Sequence, residues 1–169
     1  MVSTVLIAYA SKHGSTCEVA EAVGERLRTH GITVFVRSAR DVASLDGYDG
    51  IVVGSAIYTG RLHADARSFL HRHHREFAVR PLAVFALGPR TLAPEEVASS
   101  EAQLAAGLAK EPDVHPLTTA LFGGAFDPSQ HHFPLSRVAA SDVRDWAAID
   151  AWADSVAAAF AGLEAAVRP

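Results

Sequence analysis

The strongest constraint on this chain is the repeated hand-over from short runs of branched apolar residues to segments with helical spacing. Thr4–Tyr9 (TVLIAY), Ile32–Arg37 (ITVFVR), Ile51–Gly54, Leu82–Leu87 (LAVFAL) and Ala120–Ala125 (ALFGGA) read as strands. Such near-continuous apolar runs belong to parallel strands covered on both faces. Between them, Val19, Ala20, Val23 and Leu27 recur with helical period, set against Glu18, Glu21, Glu25, Arg26 and Arg28. Leu62, Ala66, Phe69 and Leu70 mark a second helix, Val97, Leu104 and Leu108 a third. A last helix is expected from Ser141 or Asp142, with Ile149, Trp152, Val156, Phe160 and Leu163 as its buried stripe. Strand alternating with helix is the pattern of a doubly wound α/β sheet. Right-handed crossovers leave few topologies for it.

The 169 residues fit one domain, with no repeat and no linker long enough to divide it. A net charge of −4 gives no reason to expect nucleic acid. The lone Cys17 excludes an intrachain disulfide and fits a reducing compartment. No basic-then-apolar leader opens the chain, and no apolar run nears the ~18 residues of a membrane span. A cytoplasmic location is the expectation.

Ligands of open α/β sheets sit beyond the carboxyl ends of strands, where strand order reverses. Ser11, Lys12, His13, Gly14, Ser15 and Thr16 (SKHGST) occupy that place, between the first strand and the first helix. Free amides and the helix dipole favour a phosphate there, hydroxyls add donors, and Gly14 permits a tight turn. A plain helix cap by Ser15 or Thr16 is the alternative. Neither a P-loop nor a dinucleotide G-x-G-x-x-G motif is present, so the site suits a single phosphate monoester. The absence of G-x-S-x-G argues against a serine hydrolase, and Gly54-Ser55 ending the third strand argues against a receiver domain. The histidines of His71–His74 and His131-His132 lack metal-site spacing, because sequence neighbours on a helix point apart.

SKHGST after an apolar strand resembles the phosphate loop of flavodoxins, hydroxyl-x-Thr-Gly-x-Thr, with Ser11, Gly14 and Thr16 matching and His13 standing where threonine is commoner. YDGIVVGSAIYTG, Tyr48–Gly60, resembles that family's third strand and flavin loop. The resemblance implies a flavodoxin-like, five-stranded parallel sheet of order 2-1-3-4-5, helices on both faces, and bound FMN. It further implies that the loop of Ser55, Ala56, Ile57, Tyr58, Thr59 and Gly60 passes beside the flavin, with Tyr58 the candidate to stack on the ring. Thr59 or Gly60 would offer backbone contacts near N5. Leu87, Gly88, Pro89 and Arg90 match the second flavin loop, which here lacks the aromatic often found there.

VRDWAAIDAWADSVA (Val143–Ala157), GSAIYTGRLHADARSFL and the GGAFDP that closes the fifth strand resemble the menaquinone-dependent protoporphyrinogen oxidase branch. That resemblance implies electrons passed between a porphyrinogen-type small molecule and a quinone; by their place in the loop after the fifth strand, Asp127, His131 and His132 are candidates to edge the opening such a substrate needs. The segment Asp127–Ala140 is shorter than the branch's insert and carries only Arg137 as a fixed cation. Two other readings stand beside this one: an electron carrier for a redox protein, and an interaction module that has lost its flavin. Arg61–Arg75 holds four arginines and four histidines against Asp65 alone, and reads as a cationic patch for an acidic partner or as an ordinary solvated helix face.

Overall fold

The computed structural model describes residues 2–167. Five strands form its parallel sheet: β1 (Thr4–Ala10), β2 (Thr33–Ser38), β3 (Gly50–Tyr58), β5 (Leu82–Leu87) and β6 (Thr118–Phe122). Their spatial order is β2-β1-β3-β5-β6, the expected 2-1-3-4-5 once the added hairpin strand β4 (Arg61–Leu62) is set aside. Order reverses at β1, which pairs with β2 on one side and β3 on the other.

Period-two side-chain direction sorts β1 between two cores. Val5 and Ile7 join Val19, Val23 and Leu27 of α1 (Ser15–Thr29) and Ile149, Val156 and Phe160 of α4 (Trp146–Val167). Leu6 and Ala8 join Phe69 and Leu70 of α2 (Ala64–His73) and Leu104 of α3 (Pro94–Leu108). Both faces are covered, as the apolar runs require. The two helices of the first layer are tied by Asp154, which accepts two bonds from Arg26 at 2.7 and 2.8 Å and lies 2.7 Å from His30. The third helix starts at Pro94 as a first-turn proline should.

Three boundaries depart from expectation. The segment Ser55–Tyr58, expected as loop, continues β3, because Ile57 and Tyr58 pair antiparallel with Leu62 and Arg61. The two linking residues, Thr59 and Gly60, have φ of 46° and 77°, the sign that a tight I′-type hairpin turn demands at both positions. The fifth main strand stops at Phe122 rather than Ala125; Ala125–Phe126 forms a separate strand, β7, paired with β8 (Ser141–Asp142). A side chain at Gly123 would lie 2.2 Å from the Val143 carbonyl oxygen, and Val143 N–H donates to Gly124 O at 3.1 Å. That close approach draws residues 141–143 into pairing, so the last helix begins at Trp146 instead of Ser141 or Asp142. Asp145 caps it, its carboxylate accepting from Ala148 N–H at 3.0 Å. Its buried stripe runs Ile149, Trp152, Val156 and Phe160, whereas Leu163, expected in that stripe, is exposed.

Between β7 and β8 the chain makes two short 3-10 turns, Pro128–Gln130 and Leu135–Arg137. Residues 125–142 thus form a strap fastened at the carboxyl edge of the sheet. Among the described residues, no helix is long and apolar enough to cross a membrane.

Candidate functional site

The carboxyl ends of β1, β3 and β5 meet the strap around a cavity of about 460 Å³, within the ~300–1,000 Å³ range of small-molecule sites. His13 and Ser15 reach it from the turn after β1, and Ala56–Thr59 from the β3 hairpin. Leu87, Gly88 and Arg90 come from the loop after β5, and Phe126, His131 and Leu135 from the strap.

The turn after β1 is built by Ser11, whose hydroxyl oxygen accepts from Gly14 N–H at 2.9 Å. Gly14 has φ of 92°, a conformation that disfavours any side chain. No side chain caps α1, and its first backbone bond runs from Glu18 N–H to Gly14 O. The amides of Ser15, Thr16 and Cys17 therefore precede the first intrahelical bond and face outward. Thr16 is wholly buried, and among the described residues its hydroxyl finds no partner. A buried hydroxyl left unpaired costs free energy unless something absent from the chain completes it. Amides, dipole and orphan hydroxyl together suit an anion.

Tyr58 lines the cavity half-buried, beside the Lys12 backbone. Burial pushes its pKa above the ordinary phenol value, while the Lys12 N–H acts the other way. The planar surface missing from the Leu87–Arg90 loop is supplied from elsewhere. Phe126 lines the same cavity, with the Arg90 guanidinium 5.4 Å from its ring centroid and His131 stacked on it at 4.7 Å. Glu96 holds the loop's far end, accepting from Arg90 N–H at 2.8 Å and Thr91 N–H at 3.2 Å. These bonds, with the Thr91 hydroxyl's first among them, depress the Glu96 pKa.

Some expected site residues lie elsewhere. Ser55 is fully buried beneath the cavity, donating to Ala56 O and accepting from His63 N–H, so it shapes the hairpin. Pro89 turns its carbonyl to Gly124 N–H at 2.8 Å. Ser11, Lys12, Gly14, Thr16 and Gly60 do not line the cavity, though the first four build the turn beside it. Phe126, Gly124 and Glu96 were not legible as site residues. The glycine pair at 123–124 was the signal for Gly124, since it marks where two backbones approach. A second hollow, about 390 Å³, adjoins the turn and shares His13, Ser15, Ala125, Phe126 and Asp127 with the first. Its wall carries Arg144, nearly buried and gripped by Asp142 and Glu18 at 2.6 Å each.

The Arg61–Arg75 segment is less free than its charge implied. Arg72 donates to Ser68 Oγ and to the carbonyls of Ala39 and Val42, Arg67 donates to Leu62 O, and His71 pairs with Glu111 at 3.0 Å. His73 is buried against Phe69. Arg61 and Arg75 stay exposed. No group of three or more metal-ligating side chains is found among the described residues.

A family model described as a flavodoxin domain matches residues 6–134. The chain belongs to the flavodoxin-domain family. That membership bears out the cofactor expectation, FMN, and the orphan Thr16 hydroxyl beside uncapped amides fits its phosphate. Among solved structures, a mutant flavodoxin from Pseudomonas aeruginosa is similar at 17% identity and a TM-score of 0.60, over 93% of this chain and 98% of that one. Oxidised flavodoxin 2 from Bacillus cereus gives 22% identity and 0.57, over 94% and 98%. Rubredoxin oxygen:oxidoreductase from Desulfovibrio gigas gives 15% and 0.61, over 95% of this chain but 36% of that longer one. At such identities the likeness speaks for the fold. Among curated proteins, none matches the chain in sequence.

Proposed function

We propose that this chain is an FMN-dependent oxidoreductase that passes electrons between a small organic substrate and a quinone or redox partner, in the manner of the menaquinone-dependent protoporphyrinogen dehydrogenases. The supporting observation is the strap-bordered cavity, where Tyr58, Phe126 and His131 present flat apolar surface beside the phosphate turn. When bound, FMN supplies the hydride or single-electron chemistry. The chain's own residues then have separate tasks. Ser15, Thr16 and the α1 amides would hold the phosphate, and Tyr58 and Phe126 would offer the ring flat surface beside the Thr59–Gly60 turn. Leu135 and the strap limit access from water. Arg90 and His131 at the rim suit a substrate bearing carboxylates.

A flavodoxin-type carrier is the second reading, favoured by alignment with nearly the whole length of the flavodoxins named above. Reconstitution with FMN, anaerobic reduction, and mixing with a soluble menaquinone analogue separates the two. Rapid flavin reoxidation by the quinone, with protoporphyrinogen consumed to fluorescent porphyrin, is the expected result. Reoxidation only by a redox protein would establish the carrier. Protein that stays colourless with FMN would leave a non-redox interaction module.

A further inference from the structure

The residue that departs from the flavodoxin loop pattern, His13, meets a second histidine brought from 118 positions away. The rings of His13 and His131 have centroids 4.3 Å apart and planes at 51°. Imidazoles that close cannot both carry charge without strong repulsion. His131 is held in place from behind by its stack on Phe126, so the pair is not free to separate cheaply.

The groups surrounding His13 are these. Lys12 precedes it, Tyr58 of β3 stands edge-on at 6.2 Å, Gln130 of the strap lies beside it, and Arg90 and Glu96 line the cavity it shares with His131. Glu18 of α1, Asp127 of the strap, Asp142 of β8 and Arg144 line the hollow that His13 shares. The carboxylates are already engaged. Asp127 accepts from Ser129 N–H and Oγ and from Gln130, while Glu18 and Asp142 both hold Arg144. With Glu18 and Asp142 engaged by Arg144 and Asp127 acting on His131 instead, burial keeps the His13 pKa below the ordinary imidazole value. His131 and Lys12 press the same way, and only the Gln130 bond opposes.

A phosphate seated at Ser15 and Thr16 reverses that balance, because it introduces uncompensated negative charge one residue from Gly14 and two from His13. We propose that binding of the FMN phosphate is coupled to uptake of one solvent proton by the His13–His131 pair, so that His13 grips the phosphate as a cation in place of the hydroxyl the loop pattern usually carries. The proposal rests on the FMN reading. No electron moves in this step; a proton passes from solvent to an imidazole nitrogen, and loss of that proton weakens the grip. Flavin loading of this chain is thereby tied to pH through the histidine range.

The test is calorimetric titration of the apoprotein with FMN and with riboflavin, in two buffers of different ionisation enthalpy, from about pH 6 to about pH 8. Because the phosphate's own second ionisation falls near pH ~6, wild type is compared with His13→Thr, which restores the common residue. Wild type should take up close to one more proton per FMN than His13→Thr near neutrality, and neither should take up protons with riboflavin. The ratio of the two FMN affinities should grow about tenfold toward low pH for each unit by which binding raises the imidazole pKa. His131→Phe keeps the stack on Phe126 but removes the competing charge, so its proton uptake should shift to higher pH. Equal uptake in wild type and His13→Thr, or a pH-independent affinity ratio, overturns the proposal while leaving the flavin reading intact. Wild type that binds no FMN at any pH overturns both.

Discussion

Thr16→Val separates a phosphate ligand from a fold-supporting hydroxyl, since the two roles predict opposite signs. Thr16 is wholly buried in the first turn of α1, and its Oγ1 has no partner in the described chain. Valine matches its shape and branching and has similar helix propensity, so the substitution removes the polar atom and little else. In the apoprotein an unpaired buried hydroxyl costs about 1–3 kcal/mol; taking about 1 kcal/mol as relieved raises Tm by about 2–4 °C for a domain of this size. In the holoprotein the same change deletes a hydrogen bond to a charged acceptor, worth about 1.5–3 kcal/mol. That corresponds to an FMN Kd weaker by about 10- to 150-fold. Flavin fluorescence quenching gives Kd and a thermal scan of apoprotein gives Tm. Riboflavin, lacking the phosphate, should bind wild type and variant alike. Thr16→Ser keeps the hydroxyl and should keep FMN affinity while losing some stability. A Thr16→Val protein that melts lower as apoprotein, or binds FMN within about threefold of wild type, refutes the reasoning, because about 1.4 kcal/mol is already tenfold.

Three other perturbations address the frame around the site. Gly54 lies in β3 beneath Phe85, and a Cβ there would fall 2.3 Å from the ring's Cζ. Gly54→Ala should therefore cost about 3 kcal/mol by overpacking, read by denaturant unfolding. Adding Phe85→Leu should recover part of the loss, and strictly additive costs would refute the contact. Glu96→Ala frees Arg90 N–H and Thr91 N–H, loosening the Gly88–Thr91 loop; FMN and riboflavin should weaken together by about fivefold, the worth of about 1 kcal/mol. A loss confined to FMN would show that Glu96 acts through the phosphate instead. The Asp49 pKa is depressed by bonds from Ser3 N–H, Ser3 Oγ and Thr4 N–H, and that of Asp142 by Arg144. Both carboxyls bind protons less readily folded than unfolded, so their stabilisation is present above the unfolded value of about 4 and is lost as pH falls through the folded values. His13, a base with a lowered folded pKa, also favours the unfolded chain as pH falls below about 6.5. Apoprotein Tm should decline gently below neutrality and steeply below about pH 4. Asp49→Asn should flatten the steep limb, and a limb unchanged by it would exclude this source.

Much of the molecule was legible because its local patterns are long and periodic. The apolar runs at Thr4–Tyr9 and Leu82–Leu87 marked strands covered on both faces, and the spacing of Val19, Val23 and Leu27 marked α1. Gly14 between hydroxyls, directly after a strand, located the anion turn, since only local backbone chemistry is needed to uncap a helix there. Strand order came with the family resemblance.

Other features have no signature of their own length. Strands β4, β7 and β8 are two residues each, too short for any period, and exist because a partner backbone meets them: Ile57–Tyr58 for β4, and β7 and β8 for one another. Ser55 looked like a ligand-facing hydroxyl until the hairpin turned it inward to His63 N–H. Ser141 or Asp142 was the expected start of α4, and the long-range bond from Val143 to Gly124 belongs to the pairing that moves the start to Trp146. His13 beside His131, and Phe126 as the missing flat wall, depend on the strap folding back over the first turn of the sheet. The chain alone determines which residues are helical, extended or able to turn, because those preferences act over a few bonds. Which side chains share the cavity is decided by packing between segments far apart in sequence, and no local preference encodes that distance.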